Sequence, residues 1–258
     1  MMNPLRFWKS KKPEIKFICS MQAVKDTMPI VRAGQIPRPW IKKVARGNIK
    51  DEEGRSRSSS RCPGIIDVMR EGFVIRAWCD ITIVIDGEDF TWKIPHEMIG
   101  PGGNNIEVVT YHHDFHLFKH LENKPRHSFG HVLKINTPWF IDIPKGYKLL
   151  QIPVTYVDQN TFTSFIGMME YELGLHSLNI PFVLHKNRGE VIIKAGTPLA
   201  QLIPIKMEDK MDMVNLSFPE NPKYYDVWNK KIFLEFNTWK RSYAAIRKYW
   251  KENYYNKQ

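Results

Sequence analysis

The chain has 258 residues, 43% of them apolar and 12% aromatic, which is the composition of a folded globular protein with one sizeable core and excludes a disordered one. No apolar run approaches the roughly 18 residues needed to cross a bilayer, so no membrane contact is expected. Its net charge of +11 is unevenly spread. Residues 1–62 carry fifteen Lys/Arg against five Asp/Glu, residues 222–258 carry nine against three, and residues 63–221 carry fourteen against nineteen. Two readings of the basic ends stay open: solubilising termini, or arms that touch an acidic partner, nucleic acid or protein.

Met1 to Lys12 is basic and lacks the apolar stretch of a signal peptide, which points to a non-secreted, cytoplasmic protein. Cys19, Cys62 and Cys79 are odd in number and form no C-x-x-C pair, so free buried thiols are expected. Ile15 to Cys19 reads as a short strand. Gln35-Ile36-Pro37-Arg38-Pro39-Trp40 reads as an extended segment that docks an indole, because each proline disfavours helix at the residue before it. Residues 48–61 hold almost nothing that can be buried and read as an exposed loop. Its Arg57-Ser58-Ser59-Ser60-Arg61 piece has the groups to touch a phosphate.

Beyond Cys62-Pro63-Gly64, a short helix closed by Gly72 is predicted. Strands follow at Phe73–Trp78 and Ile81–Ile85. Asp86-Gly87 is a hairpin turn signal, with Phe90–Ile94 returning. Further strands are predicted at Ile106–Tyr111, Gly130–Ile135, Gly146–Tyr156, Thr163–Met169, Ile180–Leu184, Val191–Lys194 and Leu199–Lys206. About ten short strands separated by turn residues predict a mainly β, antiparallel sandwich or barrel-like fold. Leu150, Val154, Phe165, Ile180, Phe182, Ile192, Leu199 and Ile203 are its expected core. The organisation read from the chain is an extended N-terminal segment and polar loop over 1–61, a β-rich core over 62–207, and a C-terminal helical segment over 208–258 packed on that core.

In that last segment Ile232, Phe236, Trp239, Tyr243, Ile246 and Trp250 recur at spacings of three and four, one stripe of a helix. The stripe must cover a sheet face of its own chain or of a second subunit. Lys240, Arg247, Lys248 and Lys251 lie off the stripe and are the candidate contacts to an acidic partner.

Six of the nine histidines fall between 112 and 131. His112, His116 and His120 share i, i+4 spacing, by which imidazoles one turn apart reach a single ion. His112-His113-Asp114 matches the H-x-D of two-histidine, one-carboxylate iron sites. His176 or His185 stands far enough downstream to complete the set, so a metal site for iron or zinc rests on His112, Asp114, His176 and His185. Oxygenases of that kind resemble one another in an arginine some ten residues past the second histidine, and Arg188 lies twelve past His176. Nucleophilic catalysis has no motif: there is no G-x-S-x-G, P-loop or G-x-G-x-x-G. Glu170 and Glu172 would share a strand face and read as solvated acids.

Cys62-Pro63, Gly72-Phe73-Val74-Ile75, His127-Ser128-Phe129-Gly130-His131, Pro138-Trp139, Pro144-Lys145-Gly146-Tyr147, Gly167-Met168-Met169-Glu170 and Gly196-Thr197-Pro198-Leu199-Ala200-Gln201 occur in that order. In this they resemble the phage and bacterial proteins grouped as domain of unknown function 6065, over about residues 62–207. Ile143 to Tyr147, the 167–170 hairpin and Gly196 to Ile203 also resemble, more distantly, the trimeric dUTPases and dCTP deaminases. Those are β-clip folds that bind nucleoside triphosphates. The chain departs from them at the residues that do chemistry. Ile152-Pro153-Val154 stands where they carry a phosphate-binding Arg-Ser, Glu170 stands where they carry an aspartate, and their Gly-rich C-terminal arm is absent.

These resemblances imply a phage-encoded protein acting in the host cytoplasm or in the virion. The function expected is a non-enzymatic accessory or virion-associated protein that works through a protein partner or by self-association. The alternatives are a metal-dependent, oxygenase-like enzyme and a degenerate nucleotide-binding β-clip protein.

Overall fold

A computed structural model describes residues 13–41, 63–95, 105, 107–112, 128–170, 175–207, 213 and 248. The chain divides into two compact units, Met1–Glu208 and Asp209–Gln258. The first is mainly β, and all its described strand pairs are antiparallel. In chain order its elements are β1 (Lys16–Cys19), α1 (Gln22–Thr27), β2 (Val31–Arg32), a single 3-10 turn (Ala33–Gln35), α2 (Pro63–Arg70), β3 (Phe73–Arg76), β4 (Ile81–Asp86), β5 (Asp89–Lys93) and β6 (Val109–Tyr111). Then come β7 (Leu133–Asp142), β8 (Tyr147–Ile152), β9 (Phe162–Ser164), β10 (Gly167–Met169), β11 (His176–Leu184), β12 (Gly189–Ile193) and β13 (Pro198–Lys206).

Among the described residues three sheets share one core. The first runs β1-β7-β11-β9, with β6 also on β7; the second runs β10-β8-β13-β3-β2; the third runs β12-β4-β5. Ile83 of the third, Leu133, Ile135 and Phe182 of the first, and Leu149 and Leu202 of the second are all buried in one cluster. The N-terminal residues enter two of these sheets: β1 pairs with β7, Phe17 opposite Ile141, and β2 pairs with β3. A separate small cluster of Ala33, Ile36, Val74 and Val154 packs the segment after β2 against the second sheet.

Local chemistry explains the elements. Ile81-Thr82-Ile83-Val84-Ile85 alternates buried and half-buried, the period of a strand with one inward face. Gly87 has φ 66°, whereas Glu88 is not left-handed, the pattern of a type II′ hairpin turn joining β4 to β5. The longest strand, β7, runs through Pro138, which lacks an N–H for the ladder. The register with β11 slips there, between Ser177 and Asn179. The Thr137 hydroxyl fills the gap, donating to the Leu178 carbonyl at 2.6 Å and accepting the Trp139 N–H at 3.2 Å.

Among the expected core residues, Val154, Ile180, Phe182 and Leu199 are buried. Leu150, Phe165 and Ile203 are half-buried. Ile192 is a correction: it is 41% exposed, because β12 turns Val191 and Ile193 inward and strict alternation sends the residue between them out. Trp40 is half-buried against Tyr156, and Trp139 is buried in the first sheet. The aromatic stripe from Ile232 to Trp250 and the loop over 48–61 lie outside the described residues.

Candidate functional site

The pairing of strands decides which histidines can meet. His112 follows β6, and its N–H donates to the Val132 carbonyl at 3.1 Å, at the start of β7. His176 opens β11 and pairs with Ile141, nine residues further along the same strand. At about 3.3 Å per residue they stand about 30 Å apart along the sheet. Ligands of one ion sit about 2 Å from it, so His112 and His176 cannot share a metal. The better match to the arginine spacing is therefore excluded by strand direction.

His185 directly follows β11 and has both ring nitrogens in use. Nδ1 lies 3.1 Å from the Asn160 carbonyl, which can only accept, so Nδ1 carries a proton. Nε2 lies 2.7 Å from the Thr163 hydroxyl. The imidazole thus ties the start of β9 to the end of β11. It also walls a cleft of about 330 Å³ with Asn160, Thr161, Lys186, Glu190, Val191 and Ile192. The exposure of Ile192 has its place here. Lys186 Nζ donates to the Glu190 carbonyl at 3.0 Å at the edge of the cleft. His113, Asp114, His116, His120 and His127 lie outside the described residues. Among the described residues no group of three or more His, Cys, Asp or Glu is placed to hold a metal ion.

A second focus, which the sequence reading did not single out for function, joins the Pro37-Arg38-Pro39-Trp40 segment to residues 154–157. Arg38 is 8% exposed. It donates from Nε to Thr155 O at 3.0 Å and from Nη1 to Ala33 O at 3.0 Å and Ile36 O at 3.1 Å. Burial lowers its pKa, and its buried Nη2 has no hydrogen-bond partner among the described residues. Trp40 Nε1 donates to Tyr156 O at 2.8 Å, with the two rings 6.1 Å apart. Tyr156 has φ 57°, a left-handed conformation unusual for a residue with a side chain, and is 46% exposed. Two side chains, Arg38 and Trp40, thus pin the strained turn.

The third focus is the outer face of the second sheet. Registers place Met168, Leu150 and Ile203 in one cross-strand row over β10, β8 and β13. The neighbouring rows put Ile205 opposite Lys148 and Gln201 opposite Ile152, on the same face as that row. Met168 is 51% and Ile205 37% exposed, and Leu150, Ile152 and Ile203 are half-buried. Lys148 forms an ion pair with Glu170 beside them. The β2–β3 end of this face is covered by Ala33 and Ile36, so the apolar strip begins where that cover stops. Glu170 is therefore a surface acid with a lysine partner. Of the basic residues proposed as contacts, Lys248 is helical and exposed, and Lys240, Arg247 and Lys251 lie outside the described residues.

No protein-family model matches this chain, and no curated protein matches it. The resemblance to domain of unknown function 6065 accordingly stands on its motifs alone. Among solved structures, a mutant of the dUTPase from phage phi11 of S. aureus aligns with 80% of this chain and 99% of its own. The identity is 11% and the TM-score 0.34, a level from which nothing about this chain follows.

Proposed function

We propose that this chain is a phage-encoded, non-enzymatic accessory protein that works by binding, in the host cytoplasm or as part of the virion. The apolar outer face of β10, β8 and β13 is its working surface. The observation that supports this reading is the row Met168–Leu150–Ile203 with Ile205 beside it. A sheet face that spends its life in water carries polar residues at alternate positions. Contiguous exposed apolar surface on a β protein marks a place where another surface is meant to lie.

The test is to follow the chain into purified phage particles or partner complexes. Met168→Lys combined with Ile205→Lys changes two exposed side chains and should leave the melting temperature unaltered. The doubly substituted chain is expected to drop out of the particle or complex. Retention at wild-type level would overturn the reading.

A further inference from the structure

We infer that the occupant of this outer face is a second copy of the chain, docked face to face about a two-fold axis. The inference rests on the reading that this face is the working surface, and it adds the identity of what binds there.

Three observations carry it. The first is pattern. Leu149-Leu150 in β8 and Leu202-Ile203 in β13 put an apolar residue on each side of the sheet, the inner one buried in the core and the outer one half-buried. Strands that are apolar on both faces are strands covered on both faces. The second is charge. Among the described residues the rim of the strip carries Lys148 and Glu170, one of each sign and already paired within the chain. A polyanion or an anionic lipid surface is met by a rim of one sign. A rim of adjacent opposite charges is self-complementary: a two-fold axis brings each Lys148 toward the partner's Glu170 and each Glu170 toward the partner's Lys148. The third is shape. Among the described residues β10 ends its sheet and Gly167 beside Met168 has open space where a Cβ would stand, so a second surface can approach closely at the strip's edge. Ile166, 70% exposed, extends the apolar contact there.

The experiment uses the full chain. Mass is measured by light scattering across a dilution series, and oxidation of Met168 by hydroxyl radicals is followed over the same concentrations. A concentration-dependent dimer with Met168 protected in step supports the inference. Met168→Lys with Ile205→Lys is expected to weaken that dimer at least about tenfold without lowering the melting temperature of the dilute chain. Glu170→Lys alone should weaken it, and adding Lys148→Glu should restore it.

A monomer at every concentration with Met168 freely oxidised would overturn the second copy while leaving the face open for a different partner. A monomer with Met168 protected would mean that the chain's own residues 209–258 cover the strip. That outcome would overturn both the second copy and the surface reading. A dimer indifferent to the lysine substitutions would place the interface elsewhere and overturn the inference.

Discussion

Gln201 and Thr155 are joined twice by one oxygen: the Gln201 carboxamide Oε1 accepts the Thr155 backbone N–H at 3.2 Å and its hydroxyl at 3.0 Å. The Nε2 of the same side chain donates to Val68 O at 2.7 Å and Glu71 O at 2.8 Å, carbonyls at the end of α2 that the helix leaves without partners. Gln201 has no exposed surface, and all four of its hydrogen-bonding positions are used. Gln201→Leu, of similar size, should destabilise the protein by about 2–4 kcal/mol, because it leaves buried donors and acceptors unmet. Urea unfolding measures this, and a loss under about 1 kcal/mol would show that the network contributes little. Gln201→Glu keeps the acceptor side and turns a carboxylate toward two carbonyls. Its deficit should shrink as the pH falls and the buried acid takes up a proton.

Gly72 is required twice over. Its φ is 73°, and a Cβ built there would lie 2.1 Å from the Leu202 carbonyl oxygen, which belongs to β13 and cannot swing away. Gly72→Ala should cost more than about 3 kcal/mol or prevent folding. Gly87→Ala is the control. Gly87 also has a positive φ but has nothing within 4 Å among the described residues, so only the backbone cost of about 1 kcal/mol applies. Equal melting temperatures for the two variants would contradict the close approach of Gly72 to β13.

Arg38 is a buried cation whose described hydrogen bonds all go to carbonyl oxygens. Its planar fork spans Thr155, Ala33 and Ile36 together, which an ammonium group cannot do. Arg38→Lys keeps the charge and loses most of those bonds, whereas Arg38→Met loses both. The lysine variant should therefore be the less stable of the two, by about 1–2 kcal/mol. Equilibrium unfolding of the pair gives the order directly, and the reverse order would show that the charge itself is useful at this place.

Cys79 is half-buried, and burial foremost, with the Asp80 carboxylate second, pushes its thiol up to about 11. At pH 7 only about one thiol in ten thousand is then ionised, against a few in a hundred for an ordinary cysteine. Alkylation of the folded protein at Cys79 should keep rising with pH well past 9. A rate that levels off near pH 8.5 would indicate an exposed thiol.

The sequence made the third sheet legible because one face is apolar and the turn between β4 and β5 is spelled out by Asp86-Gly87. It misled at Ile192 because Val191-Ile192-Ile193 is apolar throughout, and three apolar residues in a row do not reveal which parity points inward. The same ambiguity hid the outer face of β8 and β13, where double apolar residues read as core on either register. Pro138 concealed the length of β7, since a bulge that absorbs a proline leaves no local signature. The histidine set looked plausible because spacing along the chain says nothing about strand direction. His112 and His176 are separated by the length of β7. The pinned turn at Tyr156 depends on contacts with Arg38 and Trp40 across more than a hundred residues, and no local pattern announces those.

The pairing of β1 with β7 has a consequence for how the chain is made. Lys16 meets Asp142 across 126 residues of sequence. When β1 leaves the ribosome, the strand it pairs with has not yet been synthesised. The same holds for β4, whose partner β12 follows about a hundred residues later. The nascent chain must carry Phe17, Ile81 and Ile83 without their final neighbours until most of the first unit has emerged. Folding is therefore a late and collective event. A premature stop anywhere before β13 would release a fragment with open strand edges, not a smaller working protein.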